Sequence, residues 1–235
     1  MNRTVRSVAL IACVTCLAAP TYSREYGQYD AAKIVSISQS ASGQPSATVD
    51  FSRLDRILDD LSAHAESYPP QFDSPDDARR AQTDVRVLGG QLDVLVQGPT
   101  PNVQILMRAA VLNSIAHNMD IPGTGERAMA EFTALMKMVP ESANANYLFG
   151  KFLLNTGQAA AAVPVLEKAK TLGAINTDYT LGLAYLLLGQ KERALENLEQ
   201  YAKRVPGDPN AAKIIDAARN GNVTLKRGPP PGAEH

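Results

Sequence analysis

The sequence contains few of the residues from which catalytic and metal sites are usually built. Its two cysteines, Cys13 and Cys16, both lie close to the N-terminus. Its three histidines, His64, His117 and His235, are far apart, and none has the His-x-x-x-His or Glu-x-x-His spacing of a zinc motif. The sequence therefore predicts no metal site.

Nucleotide-binding motifs and an excess of positive charge are absent as well. The one Gly-x-Gly, Gly123-Thr124-Gly125, lies between two predicted helices and has neither the third glycine of a dinucleotide fingerprint nor the lysine of a P-loop. No Gly-x-Ser-x-Gly elbow occurs. The formal net charge is -1, so the chain has no basic field for nucleic acid. We predict a non-catalytic protein that uses no cofactor and binds no nucleic acid.

Residues 1–23 have the order of a secretory signal peptide. Arg3 and Arg6 precede a short apolar run over residues 8–19, and a small residue, Ser23, follows it. The run is shorter than the about 20 residues of a transmembrane helix. We predict cleavage near Ser23 and export to a bacterial periplasm, which would leave a mature chain without cysteine.

A lipid anchor is the alternative interpretation of the same segment. Leu10-Ile11-Ala12-Cys13 resembles a bacterial lipobox, whose cysteine becomes the lipidated first residue. Cleavage before Cys13 would leave an apolar region of only about half a dozen residues, which is short for such a signal. Soluble export is therefore preferred, and anchoring in the outer membrane through Cys13 stays open.

A repeat of helical hairpins occupies the second half of the chain. Gly123, Gly157 and Gly189 are 34 and 32 residues apart, and the residues around them recur in one register. The recurring positions are Ala116, Gly150 and Gly182, then Ala128, Ala162 and Ala194, and then Phe132, Leu166 and Leu198. Small residues midway along two antiparallel helices let the backbones approach, while larger residues fill the space beside the crossing. The pattern predicts stacked helix pairs, each with a turn at the glycine.

This spacing resembles the tetratricopeptide repeat (TPR), whose period is about 34 residues. The resemblance covers residues 109–206 in three units. It implies an all-α solenoid of stacked antiparallel hairpins, whose first helices line a concave face. We expect three TPR-like units, an N-terminal hairpin and a C-terminal capping helix.

Two helical regions are expected on the basis of apolar periodicity. Residues 51–108 predict a helical region with a hairpin that lacks the marker residues of the repeat, and Ser74 with Pro75 marks the start of its second helix. Residues 109–221 predict the repeats with the capping helix, which Asp208 opens.

The two flanks have weaker patterns. Residues 24–50 are rich in Ser, Ala, Gly and Gln and predict a flexible or irregular lead, in which the alternating stretch KIVSIS could form a short strand. Residues 222–235 contain a proline run and predict a disordered tail.

The TPR resemblance also implies which residues line the concave groove. These are Asn113 and His117 in the first unit, Asn144, Tyr147, Lys151 and Asn155 in the second, and Tyr179 and Leu183 in the third. Asparagine amides can hold peptide backbone groups, and tyrosine rings provide apolar area with one polar tip. Only Lys151 supplies a basic group, so the carboxylate clamp known in the family is not expected.

The sequence thus predicts a scaffold or adaptor that binds a protein or peptide of the bacterial cell envelope through its concave face. Two alternatives stay open. One is an envelope enzyme, or an accessory subunit of one, whose site lies in the N-terminal helical region. The other is self-association through the groove or through the N-terminal hairpin.

Overall fold

The computed structural model describes residues 25–39, 45–97 and 101–221. The predicted signal segment 1–23 with its alternative lipid anchor at Cys13, and the predicted tail 222–235, lie outside the described residues. Those predictions stay predictions.

The described chain folds into nine α-helices, one short 3-10 helix (Ala31–Lys33) and one small sheet. The helices are α1 (Phe51–Ala65), α2 (Pro75–Val96), α3 (Val103–Asn118), α4 (Thr124–Met138), α5 (Ala143–Asn155), α6 (Ala159–Thr171), α7 (Thr177–Leu187), α8 (Lys191–Arg204) and α9 (Pro209–Arg219). From α3 onward, they pack in successive antiparallel pairs, and the structure is 71% helical. This confirms the predicted helical solenoid. Within the described ranges, no helix is both long and apolar enough to cross a bilayer.

Two predicted helix starts are confirmed in detail. The Ser74 side chain accepts a hydrogen bond from the backbone N–H of Asp77, and Pro75 is the first residue of α2. The Asp208 carboxylate accepts from two backbone N–H groups at the start of α9, and Pro209 follows it. Both starts use a side-chain oxygen to satisfy backbone donors that have no partner within the helix.

In the second and third units, the paired helices cross at the predicted glycines, Gly150 and Gly182. A Cβ at Gly150 would lie 2.5 Å from the Leu166 side chain, and a Cβ at Gly182 would lie 2.5 Å from that of Leu198. Real Cβ atoms do not approach so closely, so α5 and α6, like α7 and α8, cross at a distance that only glycine permits.

The turns between paired helices correct the predicted register of the first unit. Asp120, Gly157 and Gly189 follow α3, α5 and α7, with φ of 57°, 77° and 71°. Each donates its N–H to the carbonyl three residues earlier at 3.0–3.1 Å, and the next residue donates to the carbonyl five residues earlier at 2.8–3.1 Å. This is one Schellman turn used three times. Asp120, not Gly123, is therefore the equivalent of Gly157.

With Asp120 as the turn residue, the alignment of α3 with the other first helices shifts by three residues. Asp120 and Gly157 are 37 residues apart, whereas the second helices keep the spacing of 34 between Ala128 and Ala162. Gly123 is instead the residue that caps the start of α4, with φ 75°. The turn between α3 and α4 is thus longer than the other two, and Asn113, not Ala116, takes the place of the crossing glycine.

Part of the segment expected to be a flexible or irregular lead, residues 25–34, packs against the core. Tyr26 is 0% exposed, and Ala31 and Ile34 are also buried in the core. Helices α1 and α2, which were expected to form a hairpin, are further apart than the paired helices of the repeats. Tyr26 contacts both helices, since its hydroxyl donates to Asp84 of α2 and its ring packs edge-on against His64 of α1.

The stretch KIVSIS does contain a strand. Strand β1 (Val35–Gln39) pairs antiparallel with β2 (Pro45–Val49), with Val35 opposite Val49 and Ile37 opposite Ala47. The base of this hairpin packs against the core through the two valines, while Ile37 is 77% exposed.

Candidate functional site

The C-terminal end of α1 occupies part of the predicted groove. Lys151 of α5 forms an ion pair with the Glu66 carboxylate, and the Asn155 amide donates to the Glu66 carbonyl at 2.8 Å. Asn118 of α3 donates to the carbonyls of Ala65 and Glu66 at 3.0 and 2.9 Å. Asn118 and Asn155 are 37 residues apart, so they occupy equivalent positions in the corrected register.

These contacts make α1 a wall of the groove rather than a removable segment. Leu54, Ile57 and Leu61 of α1 are 0–1% exposed, and burying each such side chain stabilises the fold by about 1.5–3 kcal/mol. A ligand that displaced α1 would have to offset the free energy lost by exposing all three side chains. The cavity between the end of α1, α3 and α5 has a volume of about 30 Å³, which leaves room for only a water or two. Lys151 and Asn155 are therefore engaged within the chain.

Asn113 and His117 face the interior of the first unit. Asn113 is 3% exposed, and its amide donates to both carboxylate oxygens of Glu131 at 3.0 and 2.9 Å. His117 is buried, and a Cβ at Gly125 would lie 2.8 Å from its Nδ1 atom. The three-residue shift explains both placements, since the two side chains point toward α4 instead of the groove.

Burial of Glu131 has an electrostatic consequence. Desolvation raises the pKa of this carboxyl to about 7, although the hydrogen bond from Asn113 favours the ionised form and opposes the shift. The crossing of α3 with α4 is thus made by a buried polar pair, where the later units use glycine against leucine.

Four predicted groove residues remain accessible. Asn144 is exposed, and Tyr147, Tyr179 and Leu183 are half-buried. Tyr147 and Leu183 pack against the same core cluster, from α5 and α7 respectively, which are the first helices of adjacent units. We call these four residues the open concave surface.

Two tyrosines extend this surface toward α8. The Tyr179 ring lies 5.0 Å from that of Tyr201, whose hydroxyl donates to Asp208 at 2.9 Å. Burial raises the pKa of Tyr179 to about 12, so it stays a neutral donor over the physiological range. The Lys151 ammonium lies 5.5 Å from the centre of the Tyr147 ring, which orients that ring from the side of α1.

Two residues of the concave face, Met107 and Ser114, are not predicted by the sequence pattern. In the corrected register, Met107 and Ser114 of α3 are the equivalents of Asn144 and Lys151, and the Asn144 amide lies 3.5 Å from the Met107 sulfur. The signal that could have identified them is Asp120, because aspartate tolerates the left-handed turn that otherwise favours glycine.

A second polar cluster lies in the N-terminal region, where the alternative enzyme site was expected. The Asp60 carboxylate accepts from the Tyr29 hydroxyl at 2.7 Å and from the Gly27 N–H at 2.8 Å. Asp60 and His64 are 2% and 5% exposed. Burial raises the pKa values of Tyr26 and Asp84. Because the Tyr26 and Tyr29 hydroxyls donate to the buried carboxylates of Asp84 and Asp60, the cluster anchors residues 25–34 on α1 and α2.

Metal coordination has no candidate in the described part of the chain. No group of three or more His, Cys, Asp or Glu side chains over residues 25–39, 45–97 and 101–221 is arranged to hold an ion. The accessible chemistry of the open concave surface consists of amide hydrogen bonds, two phenols and aliphatic area.

Comparison with known proteins supports the fold. The chain resembles the crystal structure of a thermophilic TPR protein from Thermus thermophilus, with a TM-score of 0.50 and 16% sequence identity over 72% of this chain and 92% of that one. At that identity the likeness shows the fold alone, which is TPR-like. No family model matches the sequence, and no curated protein does.

Proposed function

We propose that this protein is a non-catalytic scaffold that binds a protein or peptide of the bacterial cell envelope across α5 and α7. The observation that carries the proposal is the open concave surface, where Asn144, Tyr147, Tyr179 and Leu183 lie on the first helices of two adjacent TPR-like units. The end of α1 closes the neighbouring part of the groove, so the ligand is directed to this half.

The chemistry of the surface favours an extended or helical segment with apolar side chains. Tyrosine rings give contact area at a small cost in conformational entropy, and their hydroxyls accept or donate hydrogen bonds at the edge of that area. Lys151 is already paired with Glu66, so the surface offers no unpaired lysine for a terminal carboxylate. Affinity would thus come from apolar contact and amide hydrogen bonds.

The basic, apolar and small-residue order of residues 1–23 supports the proposed envelope location. Mass spectrometry of the protein purified from its host cells tests this directly. A chain that starts near residue 24 supports soluble export, a diacylated Cys13 at the N-terminus supports the lipid-anchored alternative, and retention of Met1 overturns export.

Site-specific photo-crosslinking in living cells tests the binding surface. A photoreactive residue at Leu183 should capture one defined protein, whereas the same residue at Val94 of α2, which is 72% exposed, should not. The double variant Tyr147→Ala and Tyr179→Ala should reduce capture at Leu183 at least tenfold, because it removes most of the aromatic area.

Val94→Ala is the matched control for loss of exposed apolar area, and circular dichroism should show that both proteins remain helical. Equal capture by the folded double variant, or equal capture from position 94, contradicts binding at the open concave surface.

A further inference from the structure

The hydrogen bonding of the β1–β2 hairpin determines which backbone groups face outward. Asp50 donates its N–H to the Ile34 carbonyl at 2.9 Å, while the Ile34 N–H donates to Ala31, so Ile34 and Asp50 form a hydrogen-bonded pair through a single bond. In an antiparallel ladder such pairs alternate. With Val35 opposite Val49 in the register, the N–H and C=O groups of Val35, Ile37 and Gln39 therefore point away from β2.

The two outer edges of the hairpin are not alike. Pro45 of β2 is opposite Gln39, at a position whose backbone also points outward, and proline has no N–H to offer there. In β1, none of the three outward positions is proline. The sheet has only two strands in the part of the chain that the structure describes, so the β1 edge is unpaired there.

Strand β1 also lacks two other features that protect edges in natural proteins, namely charged side chains and a bulge. Neither strand contains a charged residue, and no bulge interrupts the register from Val35 to Gln39. The exposed Ile37 stands on the same face as Ala47, so the unprotected edge carries an apolar face with it. A two-stranded hairpin is marginally stable in water unless further strands join it or it packs against a helix. Here Val35 and Val49 pack against the core, whereas Ile37 does not.

We propose that a second copy of this chain pairs with the β1 edge, strand against strand and antiparallel, around a two-fold axis at Ile37. In this arrangement, Ile37 is opposite Ile37 of the second copy, and Val35 is opposite Gln39 in both directions. All of these are outward-facing positions, so three residue pairs exchange two hydrogen bonds each. The result is a four-stranded sheet in which the two Ile37 side chains lie next to each other on one face.

The β1 edge is complementary to itself, which favours a second copy of the chain as its partner. An isologous interface needs a surface that is complementary to itself. A five-residue strand whose central residue points outward meets that need, and the absence of charge means that no like charges meet across the axis. A single strand from each copy buries less than the roughly 1,200 Å² of a typical stable complex, so the dimer is weak and depends on concentration.

Sedimentation velocity of the full chain over a concentration series tests the pairing. We expect the average mass to rise toward twice that of one chain. Ile37→Pro should abolish the rise, because it removes an outward N–H while leaving the β1–β2 hydrogen bonds intact. Ala47→Pro makes the matching change on the β2 edge and should leave the rise unchanged.

A charge-exchange experiment tests the position of the axis. Ile37→Lys and Ile37→Glu should each be monomeric, because like charges would meet at the axis, and an equimolar mixture of the two should recover the dimer. A wild-type chain that stays monomeric up to its solubility limit overturns the proposal, even if another protein is found on this edge. So does a mixture that fails to recover the dimer, provided that circular dichroism shows both variants folded.

Discussion

Glycines in the two halves of the molecule have different structural roles. In the repeats, Gly150 and Gly182 lie where paired helices cross, and an added Cβ at either would collide with a leucine. In α2, Gly89 and Gly90 have no atom within 4 Å of where a Cβ would be. Without a glycine crossing, α1 and α2 stand further apart, and Tyr26 fills the space that close contact fills in the repeats.

The first repeat unit lies between these two solutions. Its crossing carries Asn113, which is larger than glycine, and the hydrogen bonds to Glu131 satisfy the polar groups buried there. A stack of helices thus tolerates three kinds of contact: direct approach at glycine, a buried polar pair, and an inserted aromatic side chain. Only the first of these is visible as a spacing of small residues.

The largest effect is expected where the inserted aromatic side chain is removed. Tyr26→Ala should lower the free energy of unfolding by about 3–5 kcal/mol, because it leaves a cavity between α1 and α2 and deprives the buried Asp84 of its donor. Tyr26→Phe keeps the ring and should cost about 1–2 kcal/mol. Urea denaturation measures both. If the two variants cost the same, the hydroxyl bond rather than the packing holds residues 25–34 in place.

The buried polar pair should make stability depend on pH. The pKa of Glu131 is about 7 in the folded chain and 4.5 ordinarily, so the folded state holds the proton more tightly. The stability that the protonated Glu131 contributes to the folded state is fully present below pH 4.5, and it is lost as the pH rises through 7. Glu131→Gln should therefore be more stable than wild type at pH 8, by about 2–3 kcal/mol, with no gain at pH 4.

Thermal unfolding of both proteins between pH 4 and 8 gives this difference. The glutamine side chain of the variant can still accept a hydrogen bond from Asn113, so the hydrogen-bonded geometry is kept. A difference in stability that is constant across the pH range would show that titration of Glu131 does not contribute.

The smallest effects separate the two kinds of glycine. Gly182→Ala should cost about 1–2 kcal/mol, because overpacking against Leu198 exceeds the gain in helix propensity. Gly90→Ala, in open space on α2, should instead stabilise the chain by about 0.5–1 kcal/mol. In a Leu198→Ala background, the cost of Gly182→Ala should disappear, as a double-mutant cycle would record. If Gly182→Ala costs the same in that background, contacts other than that with Leu198 determine the distance between α7 and α8.

The helical repeat, the second helices and the starts of α2 and α9 could all be predicted from the amino-acid sequence. Ala128, Ala162 and Ala194 lie in register because each must pack against a facing helix, and the caps at Ser74 and Asp208 satisfy backbone donors locally. Such features depend on residues close together in the chain, so spacing reveals them.

Packing in the folded chain decided the register of α3 and the extent of the groove. Gly123 resembled the turn glycines in sequence, but the turn is made at Asp120, and the choice depends on how α3 packs against α4. Likewise, the engagement of Lys151 and Asn155 by Glu66 joins residues 85 and 89 positions apart. Tyr26 reaches Asp84 over 58 positions. Contacts over such separations leave no periodic trace in a single sequence, because only the folded chain brings the partners together.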